Sequence, residues 1–239
     1  MPTKVIIIGI GGATSSGKTT LANHVHNCLH NSIVIHQDDF VPPAEKLPKD
    51  PEFGFVNWDD APGAIEWDRM ASFLRDLKKT GYLPSDHQSY DSFNENAAVP
   101  VDDQMISEWK KQSEQFVAQH LQNFGVKLVF AVVDGFLLYW DKRITSNFDI
   151  QVFLRVPEDV AKARRAARSY YTPEGEIWCD PPQYWEKVAW PAYVRAHENM
   201  FEGKDVTAGR LKGDFLLFEG MEMKMEDMVN SVMKKILGH

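Results

Sequence analysis

Apolar residues gather in four short runs along the chain: Val5–Ile10, Ser32–His36, Leu128–Asp134 and Ile150–Val156. β-Branched and aromatic side chains dominate them and charge barely interrupts them, which predicts strands buried on both faces. A weaker fifth run lies at Asp214–Phe218. The intervening segments Lys18–Leu29, Ala61–Thr80, Val101–Phe124, Pro157–Ser169, Gln183–Phe201 and Met223–Leu237 read as helices. Pro157 followed by Glu158 and Asp159 suits a helix start, because proline lacks a donor the first turn cannot use and acids favour the positive end of the dipole. Strands alternating with helices predict parallel crossovers, hence an α/β fold whose parallel sheet is covered on both faces. From Val41 to Pro62 five prolines exclude a continuous helix and predict a long loop region inside the fold.

Composition narrows the class. The chain has 239 residues, 44% hydrophobic and 25% charged, ordinary globular usage for one large domain. A net charge of −8 leaves no surplus of Lys and Arg for broad capture of nucleic acid or anionic membrane. Cys28 and Cys179 lack metal or redox spacing and read as free thiols in a reducing compartment. The apolar run at the amino terminus leads straight into glycines without the form of a secretory signal, and no run approaches the roughly 20 apolar residues of a membrane span. A soluble cytoplasmic protein is expected. His24, His36 and His197 form no spaced cluster, so metal ligation is not expected of them.

Gly12-Ala13-Thr14-Ser15-Ser16-Gly17-Lys18-Thr19 matches G-x-x-x-x-G-K-[ST], with a strand before it and a helical pattern from Thr19 and Thr20 onward. In such a loop glycines turn backbone N–H groups toward one point, and the following helix adds the positive end of its dipole. Lys18 supplies a point charge to the β and γ phosphates, and the Thr19 hydroxyl suits Mg²⁺. The expected ligand is a nucleoside triphosphate. Regulatory switches, motors and small-molecule kinases all share the loop, so the reaction must be read elsewhere.

Two acids, Asp38 and Asp39, stand just past the second predicted strand, at the sheet edge where α/β folds bind ligands. A carboxylate there can accept the proton of an attacking alcohol, although Asp also commonly starts turns. Asp134 closes the third strand and is followed by Gly135, the form of a Walker B acid. Thr19, Asp38 and Asp134 would together offer hard oxygens to a magnesium ion that keeps several waters. Farther on, Arg164 and Arg168 share a helical face, with Arg165 turned about 100° away. This is the main concentration of positive charge, placed to close over phosphates or else to form a solvated face paired with acids such as Glu158 and Asp159.

The phosphate loop through Thr20, Gln37-Asp38-Asp39-Phe40, Asn57-Trp58-Asp59-Asp60, Asp134–Leu138, Arg164–Tyr171 and Trp190-Pro191-Ala192-Tyr193 together resemble the nicotinamide riboside kinases, over residues 6 to 193. The phosphate loop is generic, whereas the segments around Asp38, Asp134 and Trp190 discriminate. Uridine kinases carry a different turn where this chain has Asp38-Asp39-Phe40.

The resemblance implies a three-layer P-loop kinase fold with a five-stranded parallel sheet flanked by helices and a small helical lid. It implies one domain over 1–239, a substrate-binding insertion at about 41–62 and a lid at about 164–190. The implied activity is ATP-dependent phosphorylation of the ribose 5′-hydroxyl of nicotinamide riboside, with Mg²⁺, yielding nicotinamide mononucleotide for NAD biosynthesis. Asp38 would be the base and a member of the metal shell, with Lys18 and Arg165 as further catalytic groups. Gly12 to Thr20, Arg164 and Arg168 would hold ATP. Asp38, Asp39, Phe40, Trp58, Asp59, Arg165, Tyr170 and Tyr171 would meet the nucleoside, with Asp59 on the ribose hydroxyls and Trp58 against the cationic nicotinamide ring.

Asp134 replaces a glutamate found in some members, shortening its reach by one methylene. Residues 174–182 lengthen the lid relative to shorter members, and Glu219-Gly220-Met221 stands where relatives flank adenine. The expected partners are small molecules, with the chain a monomer or weak homo-oligomer. A uridine/cytidine kinase or another small-metabolite P-loop kinase is the alternative. The N-K-x-D base reader of a GTPase switch is absent from the sequence.

Overall fold

The apolar runs become strands: β1 Thr3–Gly12, β2 Ser32–His36, β3 Lys127–Gly135 and β4 Ile150–Arg155. Two short strands, β5 Tyr170–Tyr171 and β6 Ile177–Trp178, pair antiparallel, and β7 Phe215–Glu219 arises from the weaker fifth run. The computed structural model describes residues 1–85, 87, 89, 99–168, 170–171 and 177–238. The main sheet is wholly parallel in the order β2-β3-β1-β4-β7, with Ile7 opposite Ala131, Ile10 opposite Val152 and Val34 opposite Val132. The helices are α1 Lys18–Cys28, α2 Ala61–Ala64, α3 Trp67–Thr80, α4 Asp103–Phe124, α5 Lys142–Thr145, α6 Glu158–Ala166, α7 Trp190–His197 and α8 Met225–Leu237.

The two-residue period of β1 divides its side chains between two cores. Val5 and Ile7 join Met70, Leu74 and Leu77 of α3 on one face. Ile8 and Ile10 join Leu21 and Val25 of α1 and Val229 and Val232 of α8 on the other. Ile7, Ile8 and Ile10 have no exposed surface. At about 1.5–3 kcal/mol for each fully buried aliphatic side chain, this central strand anchors the three layers.

Two predicted helices are more broken than their spacing suggests. The segment 61–80 divides at Ile65, which is extended (φ −130°, ψ 139°). That break frees the Glu66 N–H to donate to the Phe40 carbonyl at 2.8 Å, and the Trp67 indole donates to the Ala61 carbonyl at 2.7 Å. Over 183–201 a π-helical turn, Trp185–Ala189, precedes α7. Pro191 has no N–H for the carbonyl four residues back, which removes one α-helical bond at this junction.

Candidate active site

The carboxyl ends of β1, β2, β3 and β4 open on one edge of the sheet, where crossover folds place their ligands. The phosphate loop leaves β1 there. Gly17 takes φ 101° and directly precedes α1, whose first turn receives no side-chain cap and contains no acid. A Cβ at Gly12 would lie 2.3 Å from the Leu154 carbonyl oxygen, so only glycine fits against β4. The Ser16 hydroxyl is buried with no partner among the described residues. Uncapped amides, the helix dipole and an unsatisfied hydroxyl together form a nest for an anion.

Lys18 is buried at the head of α1. Burial draws its ammonium below the ordinary lysine value, opposed by the charges of Asp38 and Asp134 and assisted by those of Arg168 and Arg165. These interactions bring the predicted acids and arginines to one centre. Asp38 stands exposed just beyond β2. Asp134, at the end of β3, is buried and accepts from the Thr19 hydroxyl at 2.5 Å, while its other oxygen lies 2.6 Å from His36 Nδ1. Burial opposes the Asp134 charge, yet His36, Lys18 and Thr19 hold its carboxyl below the usual carboxylate range.

The remaining residues of the Gln37–Phe40 turn face inward. Phe40 is fully buried, edge-on to Phe73 at 5.2 Å, with the Arg69 guanidinium over its ring. Asp39 is buried and meets His87 at 3.5 Å. The structure therefore gives Phe40 a packing role.

Arg164 and Arg165 part company as their 100° offset requires. Exposed Arg164 reaches the Ser15 carbonyl at 3.5 Å and the Met221 sulfur at 3.7 Å, bridging the phosphate loop and the segment after β7. Arg168 is half-buried. Arg165 is buried and donates through Nη1 and Nη2 to the two oxygens of Asp59 at 2.8 and 3.0 Å. Through Nε and Nη2 it also donates to Asp180 at 2.7 and 3.1 Å. Burial works against the guanidinium charge, but Asp59 and Asp180 prevail and raise its value well above normal. Tyr184 donates to Asp59 at 3.0 Å and accepts from the Trp58 N–H at 3.1 Å.

Beside Asp59 lies a cleft lined by Ala13 and Thr14 of the phosphate loop and by Trp185, Trp190 and Tyr193. These rings stack in succession, with centroids 5.7 and 4.9 Å apart. The Trp58 ring meets Trp178 at 5.5 Å. Tyr170 and Tyr171 belong to β5, but their side chains lie outside the described residues, as do residues 172–176 of the expected lid.

Sequence reasoning missed the parts played by His36, Asp180, Tyr184 and Trp185. Trp185, Trp190 and Tyr193 occur within nine residues, a density of aromatics that could have marked the cleft. Glu219, expected near adenine, is bound by Arg155, whose Nη1 also donates to the Gly209 carbonyl at 2.7 Å.

A family model described as phosphoribulokinase/uridine kinase matches residues 7–172. Nicotinamide riboside kinase of Schizosaccharomyces pombe is 32% identical over 99% of this chain and 98% of its own. The enzyme of the same name from Eremothecium gossypii is 28% identical over 97% and 92%, and human nicotinamide riboside kinase 2 is 28% identical over 96% and 84%. Phosphate loop, strand-end acids and full-length likeness agree: the chain is a kinase of the phosphoribulokinase/uridine kinase family and belongs, within it, to the nicotinamide riboside kinases.

Proposed function

We propose that this kinase transfers the γ-phosphoryl group of ATP to the ribose 5′-hydroxyl of nicotinamide riboside, producing nicotinamide mononucleotide and ADP as a step of NAD biosynthesis. The carrying observation is the convergence of Lys18, Asp38 and Asp134, with Asp59 lining the adjacent cleft. Phosphoryl transfer asks the protein mainly for positioning and for charge stabilisation. The loop amides and Lys18 hold the β and γ phosphates. Arg164 and Arg168 close over the triphosphate from α6 and the residues that follow it. Asp38 takes the proton of the 5′-hydroxyl as its oxygen bonds to the γ-phosphorus and the bond to the ADP oxygen breaks.

Thr19 and Asp134 offer adjoining hard oxygens that fit Mg²⁺, with Asp38 beside them. Magnesium, when bound, neutralises charge on the β- and γ-phosphate oxygens. Asp59, Arg165 and Trp58 meet the nucleoside, with residues 41–62 as the acceptor insertion and 164–190 as the lid. Tyr170 and Tyr171 complete the acceptor side, and the whole chain acts as one domain. The cytoplasm is the proposed compartment, and no helix among the described residues is long and apolar enough to cross a membrane.

The test is ADP release with ATP and Mg²⁺ across a nucleoside panel. Nicotinamide riboside should surpass uridine and cytidine in kcat/KM, and the reverse order would overturn the assignment.

A further inference from the structure

Three ionic side chains from distant parts of the chain converge beside the aromatic cleft. Asp59 comes from the loop before α2, Arg165 from α6, and Asp180 from the segment after β6. The guanidinium shows its end to Asp59 and its side to Asp180, so one cation faces two carboxylates. Arg165 and Asp59 side chains are only 7% and 8% exposed, and Asp180 is 20% exposed. Trp178 Nε1 donates to Asp180 at 3.0 Å and fixes it. An Asp59–Arg165 pair alone would be formally neutral. Asp180 makes the cluster formally −1 in a poorly solvated place, where charge acts more strongly than in water.

We propose that Asp180 is a specificity-determining residue: it adds a second negative charge to the Asp59–Arg165 pair, which favours a cationic acceptor nucleoside over a neutral one. The inference rests on the cleft being the acceptor site, as in the function proposed above. The stacked Trp185, Trp190 and Tyr193 reinforce it, because aromatic faces attract cations whereas they accept neutral bases largely through dispersion. A unit charge at about 10 Å in a medium of effective dielectric near 20 changes the preference by about tenfold where burial leaves little salt screening.

The experiment compares kcat/KM for nicotinamide riboside, whose ring is cationic, with that for neutral uridine in wild type, Asp180→Asn and Asp180→Glu. Asparagine preserves shape and an acceptor for Trp178 while removing the charge. The cation-to-neutral ratio should fall about tenfold in Asp180→Asn and be largely retained in Asp180→Glu. Equal losses for both nucleosides in Asp180→Asn, with thermal stability and ATP affinity intact, would overturn the proposal. So would a ratio that falls as far in the charge-preserving Asp180→Glu. Binding of the two nucleosides by calorimetry gives the same ratio if turnover becomes too slow. A wild-type preference for uridine would sink the functional assignment, whereas the change of ratio on removing the charge tests Asp180 itself.

Discussion

The hydroxyl of Thr19 donates to the carboxylate of Asp134 at 2.5 Å, joining the first turn of α1 to the end of β3. His36 Nδ1, 2.6 Å from the other carboxylate oxygen, completes the arrangement from β2. A buried acid held on both oxygens keeps one orientation, which suits the magnesium-holding role proposed for Asp134, with His36 as its outer partner. Replacing His36 by alanine should raise the Mg²⁺ concentration needed for half-maximal turnover by roughly 10–100-fold. Titrating Mg²⁺ against rate, and against binding of the ATP complex, measures it. An unchanged titration would show that His36 does not orient Asp134.

Asp38 differs from Asp134 in being exposed while its charge still acts on Lys18. An exposed carboxylate can reach a substrate hydroxyl, which a base must do. Asp38→Ala should lower kcat by about 10²–10⁴-fold, the usual contribution of a positioned base. ATP affinity, followed by calorimetry, should remain close to wild type. Near-normal turnover would assign the proton to another acceptor.

These two acids also show how far the sequence can be read. Both strands announce themselves as continuous apolar runs, and an acid just past such a run lies at the ligand edge of a parallel sheet. The phosphate loop is legible for the same reason, since its spacing encodes local backbone geometry. Arg165 is harder: the 100° step from Arg164 says that the two face apart, not that one meets Asp59, 106 positions away. Asp180 sits in an aperiodic Trp-Cys-Asp-Pro-Pro stretch, and its bond to Arg165 depends on tertiary folding alone. The break at Ile65 is likewise tertiary, settled by the Phe40 carbonyl and the core beneath it.

Tyr139 ties the sheet together just behind the phosphate loop. Its buried hydroxyl lies 2.7 Å from the Gly9 carbonyl and 2.8 Å from that of Val152, and it accepts from the Val152 N–H at 3.1 Å. Burial pushes the phenol well above its ordinary value, so it remains a donor. Tyr139→Phe keeps the ring against Phe148 and Phe215 but leaves backbone groups of β1 and β4 without this partner. The loss should be about 1–3 kcal/mol. Thermal unfolding should shift down by roughly 2–12 °C for a chain of this size, and an unchanged Tm would mean that the strands satisfy these groups otherwise.

His197 supplies a pH dependence separate from the phosphate site. It is 1% exposed, packs against Tyr193 and Phe153, and donates from Nδ1 to the Tyr193 carbonyl at 2.8 Å. Nε2 is buried with no partner among the described residues, so a proton added there would place an unpaired charge in the core. Burial lowers its value from 6.5 to about 4, against the weaker opposing effect of the Tyr193 hydrogen bond. The unfolded chain binds this proton first as pH falls. The His197 contribution is therefore fully present above pH 6.5 and is lost progressively down to about pH 4. Its full size is about 3 kcal/mol. Denaturant unfolding of wild type and His197→Gln between pH 7 and 4 isolates it, because other titrations are common to both proteins. The variant should lose less stability on acidification, and parallel profiles would show that His197 protonates as readily in the folded chain as in the unfolded one.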